Sequence, residues 1–399
     1  MTDLVIHNAR VMTCDRSLFG LGIVDRGAIA IDAGIVTWVG PNDQRPTGDR
    51  EVDARGRLVT PGLVDCHTHA IFAGDRANEF GMRAEGRTYL EIAAAGGGIN
   101  ATLGPTRAAS DDELIALMCA RLDLALAGGT TTIEIKSGYD LTLDGELRLL
   151  RCVQRASAMR GQRLVPTLLA HLIPPERKAT RDAFVAEIHA QLIPRVAAER
   201  LATSVDVYCD EGAFTLAETT AILRAAKAAG LAVRGHVGQF RDLGAAPLLA
   251  ELGALSADHV EQIDDAGIAA LAQAGTVAVM LPGACVQLRL PVPPVAKLRA
   301  AGVPMAIASD LNPGSSNCET LGVQMWLATT HFGMTVDEAW LGVTRRGAQA
   351  LGLELVGTLV HGAPGDVVIW DCDEPAHVPY RYGTNLVDAV YVGGVEQSR

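Results

Sequence analysis

The 399-residue sequence contains no unbroken apolar run approaching the roughly 18 residues needed to cross a bilayer, which sets aside a membrane-spanning helix. It contains no C-x-x-C pair. Its eight cysteines, at 14, 66, 119, 152, 209, 285, 318 and 372, are scattered, which argues against a disulfide framework or a thiolate zinc site and suits reduced, mostly buried small residues. Positive charge is also in short supply. With 34 basic against 46 acidic side chains the net charge is −12, a poor match to a phosphate backbone, so nucleic acid is not an expected partner. The opening MTDLVIHNAR carries charges where a signal peptide needs its apolar stretch, and the expected location is the cytoplasm. Nothing repeats at a period of roughly 20 to 50 residues beyond a strand–helix rhythm, and low complexity is confined to Gly96-Gly97-Gly98.

What the chain does have is apolar material, 49% of its residues, enough for one (β/α)₈ barrel of roughly 250 residues plus a smaller unit. The stretches LVIHNARVMT and GAIAIDAGIVTWVG alternate like half-buried strands, with Asp32-Ala33-Gly34 as a hairpin turn between them. From about Gly62 the texture changes to short apolar runs, each followed by a helical pattern, as in a parallel sheet with crossover helices. Eight such runs occur: GLVDCHTH, GTTTIEIKSGY, RLVPTLLAH, SVDVYCDEG, LAVRGHVG, ALSADHV, GTVAVMLPG and PMAIASD. Ser110 with Glu113, Thr215 with Glu218, and Thr335 with Glu338 fit capping boxes that open helices. After the last helix, GTLVHGAPGDVVIWD and LVDAVYVGG return to strand-like alternation. The expected class is α/β: a TIM-like (β/α)₈ barrel over 58–354, and a small discontinuous β-sandwich made by both termini, 1–57 and 355–399.

His67 and His69 are two apart in a strand-like run, so both imidazoles share one face. Three further predicted strands end in His236, His259 and Asp310. In (β/α)₈ enzymes the active site lies at the C-terminal ends of the strands, and converging imidazoles with a carboxylate suit zinc or ferrous iron. Lys136, in the second run, reads as a buried amine paired with an acid such as Glu134. Arg76, in a polar loop seven residues past His69, offers a guanidinium fork for a carboxylate. Asn312, Gly314 and Ser315 follow Asp310 in a Pro-Gly turn whose main-chain N–H groups could hold an anion or a ring carbonyl.

The run Gly62-Leu63-Val64-Asp65-Cys66-His67-Thr68-His69 resembles the signature opening of the amidohydrolase superfamily, and His236, His259 and Asp310 follow in its order. AGDRANEF, GGGI, KSGYDL, AHLIPPE, GHVGQF, SADH and SDLNPGSS are similar to segments of the branch of that superfamily that opens the imidazolone ring in histidine degradation. The resemblance implies one divalent ion, zinc or iron, on His67, His69, His236 and Asp310. Binuclear relatives carry a carboxylated lysine on the fourth strand, and SVDVYCDEG has no lysine. It also implies that Arg76, Tyr139 and His171 contact a small anionic ring substrate, and that Gln239 stands where relatives have an acid or an amide. An amide cannot take a proton, so Gln239 is a catalytic candidate only as a hydrogen-bonding group, and proton transfer falls to Asp310 or His259.

The expected activity is hydrolysis of the ring C–N bond of 4-imidazolone-5-propanoate to N-formimino-L-glutamate. A divalent ion lowers the pKa of bound water from about 15.7 towards 7. Asp310 would accept the proton and His259 would stabilise the oxyanion. The alternatives are a ring deaminase or another cyclic-amide hydrolase, and, remotely, a barrel scaffold without catalysis. A homodimer is expected, and the loop from Phe80 to Asn100 is a candidate cover for the site.

Overall fold

The computed structural model describes residues 2–87, 91–92 and 97–398 and contains two sheets. The first begins with β1 (Thr2–Met12), β2 (Ile23–Asp32), β3 (Ile35–Pro41), β4 (Gly48–Asp53) and β5 (Leu58–Pro61). Ala33 and Gly34, with φ of 48° and 78°, make the tight reversal from β2 to β3, the backbone that a two-residue hairpin requires. The second sheet is β6 (Leu63–Asp65), β7 (Thr130–Lys136), β8 (Arg163–Ala170), β9 (Ser204–Cys209), β10 (Ala232–Val237), β11 (Ser256–His259), β12 (Val277–Met280) and β13 (Met305–Ile307), parallel throughout and in chain order. Each of these strands lies in one of the eight apolar runs. Finally β14 (Val367–Trp370), β15 (Val387–Val392) and β16 (Val395–Glu396) join the first sheet, whose order is β16-β15-β14-β5-β1-β2-β3 with β4 also paired to β1.

The strand Leu58–Pro61 pairs with β1 and β14 and so joins the terminal sheet, and the parallel sheet begins at Leu63. Gly62 links the two sheets in a close-packed position, where a Cβ would lie 2.0 Å from the Thr131 hydroxyl. All three predicted capping boxes form. Ser110, Thr215 and Thr335 each accept from the main chain of the glutamate three residues on, whose carboxylate reaches back to the cap.

The barrel closes between β6 and β13 at its mouth. Asp310 N–H donates to the His67 carbonyl (3.0 Å), His69 N–H to the Leu311 carbonyl (2.8 Å), and Ser309 N–H to the Asp65 carboxylate (3.0 Å). Closure therefore runs through the residues that carry the candidate chemistry, and both ends of the barrel fix their positions. All eight cysteines are free, and none of the described helices is long and apolar enough to cross a membrane.

Candidate metal centre and substrate pocket

Four barrel strands carry pairs of polar side chains two residues apart, and the strand period of two turns each pair into the lumen. They are Glu134 and Lys136 on β7, Asp206 and Tyr208 on β9, Arg234 and His236 on β10, and Ser256 and Asp258 on β11. The alternate residues, such as Ile133, Ile135, Val205, Val207 and Val233, are buried on the other face. Barrel lumens are usually filled by branched apolar side chains. This one holds ions.

Lys136 Nζ donates to Glu134 (2.7 Å) and Asp206 (2.6 Å), pairing it as the sequence predicts and adding a second acid. The Arg234 guanidinium donates to Asp258 (3.1 Å), to the Cys66 carbonyl (2.7 Å), to Ser256 Oγ (2.8 Å) and to Glu134. All five ionised side chains are fully buried. Burial opposes the charge on Arg234, but Asp258 and Glu134 outweigh it and hold its pKa above the ordinary value. Burial likewise pushes the Asp206 carboxyl up, yet His236 and Lys136 beside it keep it well below the usual carboxylate range. The layer survives burial because each charge has a partner within hydrogen-bond reach.

Above this layer stand the histidines. His67 Nδ1 donates to Asp258 (2.6 Å) and His236 Nδ1 to Asp206 (2.9 Å). A carboxylate can only accept, so each Nδ1 carries the proton and each Nε2 presents a lone pair to the barrel mouth. Burial holds both rings in the neutral form, lowering the His67 pKa well below its usual value and His236 to about 4. His67 Nε2 is buried and has no hydrogen-bond partner among the described residues. It lies 3.5 Å from Asp310 Oδ1, while His69 Nε2 lies 3.4 Å from the same oxygen and 3.5 Å from His236 Nε2. A tetrahedral site with bonds of about 2.0–2.1 Å has ligand–ligand edges of about 3.3–3.4 Å. The three N/O spacings approach those edges, and the described residues form two overlapping groups able to hold an ion, His67-His69-Asp310 and His67-His236-His259. These residues fit a metal ion.

His259, at the end of β11, stands close by, its ring 5.5 Å from that of His236 and 5.8 Å from that of His67. Its neighbour Glu261, which the sequence reading did not pick out, is buried with its Oε1 3.5 Å from His259 Nδ1. Burial disfavours the imidazolium, but Glu261 outweighs it and holds the His259 pKa above the ordinary value. The backbone is unusual here: His259 (φ 82°), Val260 (φ 61°) and Asp310 (φ 51°) all sit in the left-handed region that non-glycine residues avoid. Such conformations cost on the order of 1–3 kcal/mol each and gather at functional sites.

Tyr139, His171 and Tyr208 form an arc beside the cluster, with adjacent rings 5.5 Å (Tyr139–His171) and 5.8 Å (His171–Tyr208) apart. Tyr139 packs on His69 at 5.6 Å and Tyr208 on His236 at 5.5 Å. His171 Nδ1 donates to the Gly138 carbonyl (2.8 Å), and burial lowers its pKa to about 3, so its Nε2 offers a lone pair. Tyr208 is a second group that sequence reasoning missed. Its hydroxyl donates to Gln239 Oε1 (2.8 Å), which leaves the Gln239 amide N–H groups as the side chain's free polar edge. Asp210 anchors that turn by accepting from the main chain of Gln239, Phe240 and Arg241.

The Pro-Gly turn differs from expectation in one respect. Both N–H groups proposed as anion donors, those of Gly314 (2.8 Å) and Ser315 (2.7 Å), are taken by Asn312 Oδ1. Asn312 organises the turn, and the Ser315 hydroxyl, 3.5 Å from Asp310, is the group left near the cluster. Arg76 stands against this turn with its Nε and one terminal nitrogen bound to Glu79 (2.9 Å each). A cavity of about 610 Å³ has Phe80, Arg83, Phe240, Gln287 and Ser316 among its walls. None of the imidazoles lines it. Of the candidate covering loop, residues 88–90 and 93–96 lie outside the described residues.

Comparison with known proteins agrees with this geometry. The amidohydrolase family model matches residues 80–396. An imidazolonepropionase of Xanthomonas oryzae is 48% identical over 397 residues, covering 98% of each chain. Those of Mesorhizobium japonicum and Paracoccus denitrificans are 47% and 45% identical, each covering at least 96% of both chains. This chain belongs to the imidazolonepropionase family. Among solved structures, a zinc-bound adenosine deaminase from Xanthomonas campestris shares the fold with a TM-score of 0.73 at 19% identity, covering 99% of this chain and 92% of its own. A triazine hydrolase from Arthrobacter aurescens does so at 0.75 and 16%, covering 99% and 94%.

Proposed function

We propose that this member of the imidazolonepropionase family hydrolyses the ring C–N bond of 4-imidazolone-5-propanoate to N-formimino-L-glutamate, with one divalent ion, zinc or iron, on His67, His69, His236 and Asp310. The observation that supports the reading is the 3.4–3.5 Å spacing of Nε2 and Oδ1 atoms among His67, His69, His236 and Asp310 in a chain nearly half identical, end to end, to enzymes of that name. Bound there, a divalent ion supplies Lewis acidity and acidifies a water.

The side chains have distinct tasks. Asp310 is held below the usual carboxylate range by His69 and the other imidazoles, against burial, and as a carboxylate it can take the proton of the attacking water. His259, kept prone to protonation by Glu261, donates to the oxygen that gains charge when the ring carbonyl is attacked. The water oxygen bonds to the ring carbonyl carbon, the C–N bond breaks, and the nitrogen leaves with the proton that Asp310 or His259 returns. Tyr139, His171 and the Gln239 amide frame the ring, and Arg76 takes the propionate. Asn312, with Gly314 and Ser315, holds the turn against which Arg76 rests. The enzyme acts on this small anion as a cytoplasmic homodimer, and its charge of −12 disfavours nucleic acid.

An ultraviolet assay with freshly generated imidazolone propionate, with the product identified by mass, tests the reading. Ring opening to formimino-glutamate that stops on chelation is expected. No turnover, with metal still bound, would exclude this substrate and leave other cyclic amides and ring deaminations. Arg76→Ala should raise KM for the carboxylate-bearing substrate more than for an analogue without it, and equal effects would remove Arg76 from the pocket.

A further inference from the structure

Arg76 and Glu79 make a two-bond clamp that the reaction scheme does not use. Glu79 is 4% exposed, and its carboxylate accepts Nε and Nη2 of Arg76 at 2.9 Å each. The same carboxylate accepts the Gly98 main-chain N–H (2.8 Å), and Arg83 Nη1 lies 3.8 Å from it. Arg83 in turn donates to the Gly314 carbonyl (2.8 Å). One carboxylate thus stands between two guanidiniums. A guanidinium has two edges able to grip a carboxylate. Glu79 occupies the Nε/Nη2 edge, so the Nη1/Nη2 edge is the one offered outward.

Gly314 packs against the face of this guanidinium. A Cβ at this position would lie 2.2 Å from Arg76 Nη1 and 2.6 Å from its Cζ. Gly314 is not in the left-handed region, so an added methyl group meets a side chain and no backbone strain. Its missing Cβ is therefore space reserved for the guanidinium.

We infer that Glu79 is a positioning residue, and Gly314 a spacing residue, which together aim the Nη1/Nη2 edge of Arg76 at the substrate carboxylate and so set specificity for an acid-bearing ring. The inference rests on the proposed function, in which Arg76 takes the propionate. Glu79 touches no substrate and acts through Arg76. In Glu79→Gln the amide loses the charge and turns an NH₂ toward a group that only donates. In Gly314→Ala the methyl group displaces Nη1 while Glu79 stays.

The test uses full-length, metal-replete enzyme with imidazolone propionate and with the analogue whose carboxylate is an amide. Both variants should raise KM for the acid about tenfold, the scale of a weakened charge-assisted hydrogen bond, with KM for the amide and both kcat values within about twofold. A general loss of structure would move both substrates alike, and that result, or unchanged KM for the acid, overturns the inference. The ¹⁵N signal of Arg76 Nε, assigned by its loss in Arg76→Lys, reads the clamp without substrate. It should move in Glu79→Gln, and a signal identical to wild type overturns the clamp itself. If wild type does not distinguish acid from amide, the role of Arg76 in the proposed function fails, and the Nε signal still decides whether Glu79 holds it.

Discussion

The interiors of the two sheets are built on opposite principles. The terminal sheet packs Leu4, Ile6, Val11, Ile29, Ile31, Val59, Val367 and Ile369 into an apolar cluster, stabilised by area removed from water. The barrel lumen beneath the histidines packs Glu134, Lys136, Asp206, Arg234 and Asp258, stabilised only because each charge is answered by another. The first kind of core tolerates change of shape and loses energy in proportion to volume. The second fails when one member is removed, and it transmits that failure to the proposed metal ligands, because His67 and His236 are each tied to a carboxylate of the layer.

The contrast can be broken most severely at its apex. His67→Ala or His236→Ala should lose bound metal and turnover together, as measured by elemental analysis and the ring-opening assay. Stoichiometric metal in both variants would refute the site. Next, Arg234→Met removes one cation, leaving Lys136 as the remaining cation beside Glu134 and Asp258, with an expected cost of about 3–5 kcal/mol in denaturant unfolding. Ile6→Ala in the terminal sheet should cost a comparable amount, about 2–5 kcal/mol, through transfer and cavity terms. Metal affinity separates them: it should fall in Arg234→Met and stay at the wild-type value in Ile6→Ala. Asp258→Asn sharpens the point further. It keeps the volume but gives His67 Nδ1 a weaker acceptor, so metal affinity should drop about 10–100-fold by competition with a chelating dye, while the unfolding midpoint moves less than in Arg234→Met. The smallest effect belongs to neither interior: Thr335→Ala removes a helix cap and should cost about 1 kcal/mol with no change in metal binding.

How the charged layer escaped the sequence is instructive. Glu134 with Lys136 could be paired because they are neighbours on one strand. Asp206, Arg234 and Asp258 stand two residues before Tyr208, before His236 and after Ser256, in the same alternation that exposed His67 and His69. The pattern was present, but a polar residue in a short strand reads equally as an outward one until the barrel turns it inward. Glu79 was hidden for another reason: i,i+3 acid–base pairs are common on helix surfaces, and only its burial, with the Gly98 N–H on its carboxylate, sets this pair apart.

The sequence by itself determined the eight strands, the terminal sheet, the helix caps and the polar side chains that gather at the barrel mouth, because periodicity, capping chemistry and strand-end histidines are local signals that read along the chain. Only the tertiary structure decided which nitrogen of each imidazole faces the centre, that Glu261 stands behind His259 and Tyr208 behind Gln239, and that Asn312 takes the N–H groups of Gly314 and Ser315. Those facts depend on distances between strands far apart in sequence, and a hydrogen bond is decided by a few tenths of an ångström that no local pattern encodes.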